Sequence, residues 1–210
     1  MKLYHSTASP NSRRVRMFMA EKGISIPFQP VNLAEKEQFS DAFKAINPRQ
    51  QVPVLVLDDG TAIAEVPAIW RFLEEIHPER PLLGSDATGK ALVAMWERRA
   101  ELDGFAPTME GVRNSVPGLK DRALSGPHDY EQIPGLVDRS KRRVANFYAD
   151  FDTRLADVPF MAGPDFSAAD ITGVVTVDFA TAALKMPIPE DCRALHRWYE
   201  AVAARPSATA

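Results

Sequence analysis

Three short stretches in the first third of the chain carry residues able to hold an anionic, peptide-like ligand. The first is Ser9-Pro10-Asn11-Ser12-Arg13-Arg14-Val15-Arg16. Ser9 stands where a helix N-cap belongs and Pro10 at the first helical position, so the Ser9 hydroxyl sits beside free N–H groups and a partial positive charge. The second is Gln51-Val52-Pro53, just ahead of an apolar run. A proline opening a strand suggests a cis peptide bond, which exposes the preceding backbone to pair with an extended peptide ligand. The third is Glu65-Val66-Pro67, an acid at the entry to a helix. Each also has a purely structural reading: Ser9 as a cap, Pro53 as the start of an edge strand, Glu65 as a complement to a helix dipole. The four histidines are scattered, with no CxxC, HExxH or HxH spacing, so no metal is expected. Cys192 is the one cysteine and has no basic partner beside it in a motif, so it reads as a small helix residue.

These residues need elements to hold them. Residues 2–6 read as a strand, and Val15, Phe18, Met19 and Lys22 share one face of a helix over Arg13–Lys22 that stops at Gly23. A second strand is expected over Ile24–Val31, interrupted by Pro27, and a short helix over Phe39–Ile46, stopped by Asn47-Pro48. Residues 54–57, the turn Asp58-Asp59-Gly60 and residues 61–64 form a hairpin; Ile69, Phe72, Leu73 and Ile76 then mark a helix ending at His77-Pro78. This order packs as one small mixed sheet with helices on its faces. Pro78-Glu79-Arg80-Pro81 and Gly84-Ser85-Asp86 break the periodicity, and everything beyond reads as helix, with an irregular connection over Gly118–Pro134. The expected domains are 1–78 and 89–210, with a linker at 79–88.

Composition narrows the partners. Of 210 residues, 45% are hydrophobic and 25% charged, ordinary globular usage. Ten basic against eleven acidic residues up to position 88, and 15 against 17 after it, leave no basic nucleic-acid arm. The longest apolar run, about Val52–Leu57, is far short of the roughly 18 residues that span a bilayer. The start Met1-Lys2-Leu3-Tyr4-His5-Ser6 lacks an apolar stretch after its basic residue, so export is not expected, and a single cysteine fits a reducing, cytoplasmic setting.

Taken together, the motifs resemble the glutathione transferase superfamily, whose pattern is Ser/Cys-Pro-x-Ser-x-x-Val-Arg, then Asn-Pro-x-x-x-Val-Pro-x-Leu, then Glu-Ser-x-Ala-Ile. Here these read Ser9 to Arg16, Asn47-Pro48-Arg49-Gln50-Gln51-Val52-Pro53-Val54-Leu55, and Glu65-Val66-Pro67-Ala68-Ile69. The likeness continues through Phe166-Ser167-Ala168-Ala169-Asp170-Ile171 and Arg205-Pro206-Ser207, and so covers essentially the whole chain. It implies an α/β thioredoxin-like N-terminal domain, an all-α C-terminal helical bundle and a bacterial serine-type member, by resemblance a homodimer that adds the thiolate of glutathione to small electrophiles. No further cofactor is implied.

By the same resemblance Ser9 is the catalytic residue. A free thiol with a pKa of about 8.5 is only a few per cent ionised at pH 7, and lowering it by about two units takes roughly 2.7 kcal/mol. A charge-assisted hydrogen bond supplies about 1.5–3 kcal/mol and a helix N-terminus about 0.3–1. Asn11 resembles the thiolate-contacting Asn of some disulfide-reductase-like members, and so is a helper; the family's catalytic Tyr position falls on His5, leaving Tyr4 as a packed strand residue. The family pattern also assigns Val52, with Pro53 after it, to the cysteinyl backbone, Gln38 and Gln51 to the glycine carboxylate, and Glu65 to the γ-glutamyl ammonium. Val66 departs from the pattern: it keeps the backbone N–H but lacks the hydroxyl that binds the γ-glutamyl carboxylate. With Gln in place of the usual basic residues, weaker glutathione binding or another thiol is expected. Phe105, Met109, Val112 and Arg113 are the expected lining of a second-substrate pocket between the domains, though the apolar ones equally suit helix packing. Two alternatives share the fold: a glutathione-dependent disulfide reductase or peroxidase, and a non-catalytic binding or regulatory protein.

One motif is structural. The Ser167 hydroxyl can satisfy the Asp170 N–H while the Asp170 carboxylate reaches back to the Ser167 N–H, a capping box.

Overall fold

Alternation along the first strand sets the frame of the N-terminal unit. In the computed structural model, which describes residues 1–210, β1 (Lys2–His5) lies parallel to β2 (Phe28–Pro30) and antiparallel to β3 (Val54–Val56), and β3 pairs with β4 (Ala62–Ala64), giving the order β2-β1-β3-β4. Leu3 lies opposite Leu55, and both are wholly buried. Tyr4, opposite Val54, points to the other face and packs with Val31, Phe43 and Val52, its ring edge-on to Phe43 at 6.2 Å. Helices α1 (Pro10–Lys22) and α3 (Val66–Ile76) pack together, Phe18 stacked on Trp70 with ring centres 5.4 Å apart. Each such fully buried side chain stabilises the unit by about 1.5–3 kcal/mol.

The local departures from expectation have local causes. Helix α1 begins three residues before the apolar periodicity does, because Ser9 caps it and Pro10 suits its first position; Gly23, at φ 70°, closes it in the left-handed conformation. The second strand is only Phe28–Pro30 rather than Ile24–Val31. Pro27 and Pro30 have no N–H to donate, so this edge strand is held by the Leu3 N–H on the Pro27 carbonyl (2.9 Å) and the Val31 N–H on that of His5 (2.7 Å). The helix expected over Phe39–Ile46 divides into a 3₁₀ turn at Glu37–Phe39 and α2 (Asp41–Ile46), since the Ser40 hydroxyl caps a new start by accepting from the Phe43 N–H.

The contacts of the chain divide it at Arg80–Pro81, with Ser125–His128 and Thr209–Ala210 grouped with the first unit. The segment expected as a linker is tied down at both ends. Lys22, paired with Glu74 at 2.7 Å, also donates to the carbonyls of Glu79 and Arg80. Leu82 is buried, and its carbonyl accepts from the Ala168 N–H.

The second unit is helical. A run from Ala87 to Ser115 comprises α4 (Ala87–Arg99), a wider π-helical stretch (Ala100–Phe105) and α5 (Ala106–Ser115). Pro107 accounts for the widening: it has no N–H and its ring crowds the carbonyl four residues back. An irregular connection follows, then α6 (Gly135–Asp157), α7 (Ala168–Phe179) with a π-helical end over Ala180–Leu184, and α8 (Arg193–Ala203). Ala168 to Val177 of α7 are buried without exception, which makes α7 the hydrophobic axis of the unit. Val144, Phe147, Tyr148, Phe151 and Leu155 of α6 and Leu195, Trp198 and Val202 of α8 are also buried. No helix is long and apolar enough to cross a membrane.

Candidate functional site

The strand register brings the three N-terminal motifs to one end of the sheet. β1 ends where β3 begins, since Tyr4 lies opposite Val54, and β4 ends there too, with Ala64 opposite the same Val54. The residues just beyond each pairing are therefore Ser6–Ser9, Val52-Pro53 and Glu65. β2, parallel to β1, also ends there. Loops at a common end of a sheet are where α/β folds place ligands.

Ser9 is held firmly and yet keeps a proton to give. Its N–H donates to the Ser6 carbonyl (3.2 Å), its carbonyl accepts from Arg13, and its Oγ accepts from the Ser12 N–H at 3.2 Å. The hydroxyl hydrogen has no acceptor within the chain. The loop before it is pinned from below: the Ser6 N–H donates to Ser12 Oγ (3.2 Å) and Arg16 Nη1 to the Ser6 carbonyl (3.3 Å). Buried His5 places Nδ1 3.3 Å from Arg16 Nη1, and burial, with the Arg16 charge second, pulls the His5 pKa below its ordinary value. The first turn of α1 has no acid, so no like charge there opposes an anion at Ser9. Half-buried Asn11 lies in that turn with its Oδ1 taken by Arg14 Nη1 at 3.1 Å, leaving Nδ2 as its free donor.

The Val52–Pro53 peptide is cis, and neither the N–H nor the C=O of Val52 bonds within the chain. Buried backbone groups are normally paired, so this pair is open to an extended ligand. Asn47 shapes the approach, donating from Nδ2 to the Gln51 carbonyl (2.8 Å) and accepting from the Arg49 N–H. Gln51 is half-exposed, and its Nε2 donates to Ser125 Oγ at 3.1 Å. Gln38, on the 3₁₀ turn, is 7% exposed, and its Oε1 is buried with no partner.

Glu65 has φ 70° and ψ 126°, a conformation that disfavours a side chain and costs on the order of 1–3 kcal/mol. Its carboxylate is exposed and bonds to nothing in the chain. The strained residue stands at the entry to α3, just beyond the pairing of Ala64 with Val54 and so at the same end of the sheet as Ser9 and Val52, and the Val66 N–H that follows it has no partner within the helix.

In the second unit Phe105 is buried and packs against Phe179 with ring centres 6.3 Å apart, and Val112 is buried; Met109 and Arg113 are half-exposed. Cys192 caps α8, and burial pushes its thiol up, away from nucleophilic use.

Three features of this site have no mark in the sequence. The His5–Arg16 support joins residues eleven apart in a strand and a helix, the Ser125–Gln51 bond joins residues 74 apart, and the Glu65 backbone is set by the turn it must make.

Residues 3–81 match the family described as glutathione S-transferase, N-terminal domain, and residues 134–201 match glutathione S-transferase, C-terminal domain. The chain is 37% identical to glutathione S-transferase 2 of Saccharomyces cerevisiae over 99% of its own length and 87% of that protein's. It is 41% identical to the maleylacetoacetate isomerase of Rattus norvegicus, covering 87% of this chain and 86% of the relative. Among solved structures it is similar to Gtt2 of Saccharomyces cerevisiae, with a TM-score of 0.90 at 34% identity over 100% and 99% of the two chains. A glutathione S-transferase domain-containing protein of Marinobacter aquaeolei matches with a TM-score of 0.91 at 34% identity over 99% of each.

Proposed function

Because the chain belongs to the glutathione S-transferase superfamily, we propose that it joins the sulfur of glutathione to small hydrophobic electrophiles, with Ser9 holding the reacting thiolate. The observation that carries this reading is the Ser9 hydroxyl: fixed at the N-terminus of α1, already accepting from Ser12, and with its hydrogen uncommitted. That hydrogen is donated to the glutathione sulfur, and the helix N-terminus favours the same anion. The thiol proton leaves to solvent. The thiolate attacks the electrophile, the new carbon–sulfur bond forms as the leaving group departs with its electron pair, and Ser9 is unchanged.

The tripeptide lies extended along the end of the sheet. Val52 pairs with the cysteinyl backbone through its free N–H and C=O, with the cis Pro53 turning the chain away behind it. Glu65 receives the γ-glutamyl ammonium, the Val66 N–H the γ-glutamyl carboxylate, and Gln38 and Gln51 the glycyl carboxylate. Asn11 donates from Nδ2 beside the sulfur. Phe105, Met109, Val112 and Arg113 serve the second substrate. The working form is a cytoplasmic homodimer. The relatives named above favour the transferase over the disulfide-reductase and non-catalytic readings.

The test is Ser9→Ala. Loss of one charge-assisted hydrogen bond, about 1.5–3 kcal/mol, lowers kcat/KM for a chloronitroaromatic acceptor by about 10- to 100-fold and raises the pKa of the bound thiol, read from its ultraviolet absorbance against pH. Activity and thiol titration both unchanged would remove Ser9 from this role.

A further inference from the structure

The turn that carries Ser9 is held through one peptide group. Thr7 and Ala8 at its tip are exposed, and its two ends are joined by the Ser9 N–H on the Ser6 carbonyl at 3.2 Å. That carbonyl takes a second donor, Arg16 Nη1 at 3.3 Å, and the Ser6 N–H donates to Ser12 Oγ at 3.2 Å. Ser12 in turn gives its own N–H to Ser9 Oγ at 3.2 Å. The bonds close a ring, from Ser9 to Ser6 to Ser12 and back to Ser9, with Arg16 fastened to it at Ser6. All of these residues lie in the N-terminal unit.

Two members of this network cost stability where they stand. Ser12 is wholly buried and Arg16 is 8% exposed. Alanine in place of Ser12 would suit the helix better and leave no hydroxyl to desolvate, and its backbone would still supply the N–H to Ser9. Only the bond from the Ser6 N–H needs the serine oxygen. Arg16 is held by the Ser6 carbonyl, by His5 Nδ1 at 3.3 Å and by the Ala210 oxygen at 3.3 Å, with no Asp or Glu side chain among its partners. A guanidinium has only donors, so His5 Nδ1 is the acceptor. Burying such a cation without a carboxylate is unfavourable, and burial first, with the like charge of Arg13 second, pulls its pKa below the ordinary value. Departures from the rules of stability gather where a function needs them. Here both departures converge on the Ser6 peptide, one on its N–H and one on its C=O.

We propose that Ser12 and Arg16 are positioning residues that clamp the two sides of the Ser6 peptide and so aim the Ser9 hydroxyl at the reacting sulfur, an assignment that rests on the transferase reading for the sulfur. Ser12, wholly buried, cannot touch a thiol, so whatever it does to the reaction passes through Ser9.

Double-mutant cycles with Ser9→Ala test this, the pKa of the bound thiol being read from its ultraviolet absorbance and kcat measured with a chloronitroaromatic acceptor. Ser12→Ala keeps the backbone N–H and removes the acceptor of Ser6. It is expected to raise the thiol pKa by about half to one unit and to lower kcat by about 3- to 10-fold, the size of one neutral hydrogen bond. Calorimetric affinity for glutathione below the thiol pKa stays the same, since the groups that hold the peptide are untouched. Arg16→Met has the same effects, and Arg16→Lys, which can still donate to Ser6, restores part of what is lost. Ser12→Ala, smaller than serine and a better helix former, gives the answer even where Arg16→Met fails to fold. In the Ser9→Ala background all of these changes disappear, because the clamp has no hydroxyl left to aim. Effects of the same size in that background overturn the proposal, as does a Ser12→Ala chain with unchanged thiol pKa and kcat; either leaves the transferase standing. A wild-type chain whose bound thiol titrates as it does in Ser9→Ala is the separate result that overturns the transferase reading, and the clamp with it.

Discussion

Three helices of this chain begin with a serine cap, and two of them, α1 and α7, put it to opposite ends. At α7, Ser167 is 3% exposed and locked to Asp170: the Asp170 carboxylate accepts from the Ser167 N–H at 2.9 Å and from its hydroxyl at 3.1 Å, and takes two more donors, the Met161 N–H at 2.9 Å and Trp198 Nε1 at 2.8 Å. At α1, Ser9 faces Ser12 instead of an acid, so the hydroxyl that caps the helix keeps its hydrogen. The residue three places on decides the difference. An acid there closes the cap on itself, while a serine leaves it open to an anion from outside. A closed cap serves stability, while an open one keeps a donor for the ligand proposed above.

Breaking the closed cap has the largest expected effect. Asp170→Ala leaves the Met161, Ser167 and Trp198 donors buried without acceptors, each costing about 1–3 kcal/mol, so a loss of about 4 kcal/mol in urea unfolding is expected. A loss under about 1 kcal/mol would mean that the cluster is not what holds α7 to α8.

The pH dependence sharpens the same point. Burial pushes the Asp170 carboxyl up to about 6, against the pull of its hydrogen bonds from Met161, Trp198 and Ser167. Because the folded pKa lies above the unfolded one, the native chain holds this proton more tightly. The stabilisation is complete below about pH 4, fades as pH rises through 6 and is absent above, a change on the order of 3 kcal/mol. Asp170→Asn removes that slope from a plot of unfolding free energy against pH; an unaltered slope assigns it to another group.

The two caps are then compared directly. Ser167→Ala lowers stability by about 0.5–2 kcal/mol, as for other helix caps, and leaves the thiol pKa alone. Ser9→Ala costs stability in the same range but shifts the bound thiol. If both variants behave alike in the thiol titration, the distinction between open and closed caps fails.

The smallest effect tests the open end of the sheet. Val66→Ser supplies the hydroxyl missing at the start of α3, and calorimetry is expected to show reduced glutathione binding about 10-fold tighter, near 1.4 kcal/mol. Unchanged affinity would mean that the Val66 N–H already satisfies that carboxylate.

Much of this was legible in the sequence, and for local reasons. Ser9, Pro10 and Gly23 mark the bounds of α1, Asp58-Asp59-Gly60 the hairpin turn, and Ser167 with Asp170 the capping box, because each acts through residues within a turn of itself. The expected strand over Ile24–Val31 shrank to Phe28–Pro30 because ladder donors depend on a partner strand, which two prolines cannot supply. The resemblance picked out Glu65, but nothing local signalled its φ of 70°.

The sequence alone determined the order of the elements, the capping of the helices and the residue types available at each loop, since propensity, capping and turn chemistry act over a few neighbours. Only the tertiary structure decided which polar groups end up satisfied. Asp170 finds Trp198 across 28 residues, Glu110 spends its charge on Arg139 and Ser140, and Arg16 props the loop under Ser9 from beside His5. Hydrogen bonds are made between whatever groups packing brings within 3 Å or so, and whether a charge or a hydroxyl is left over for a ligand depends on where every competing partner has gone.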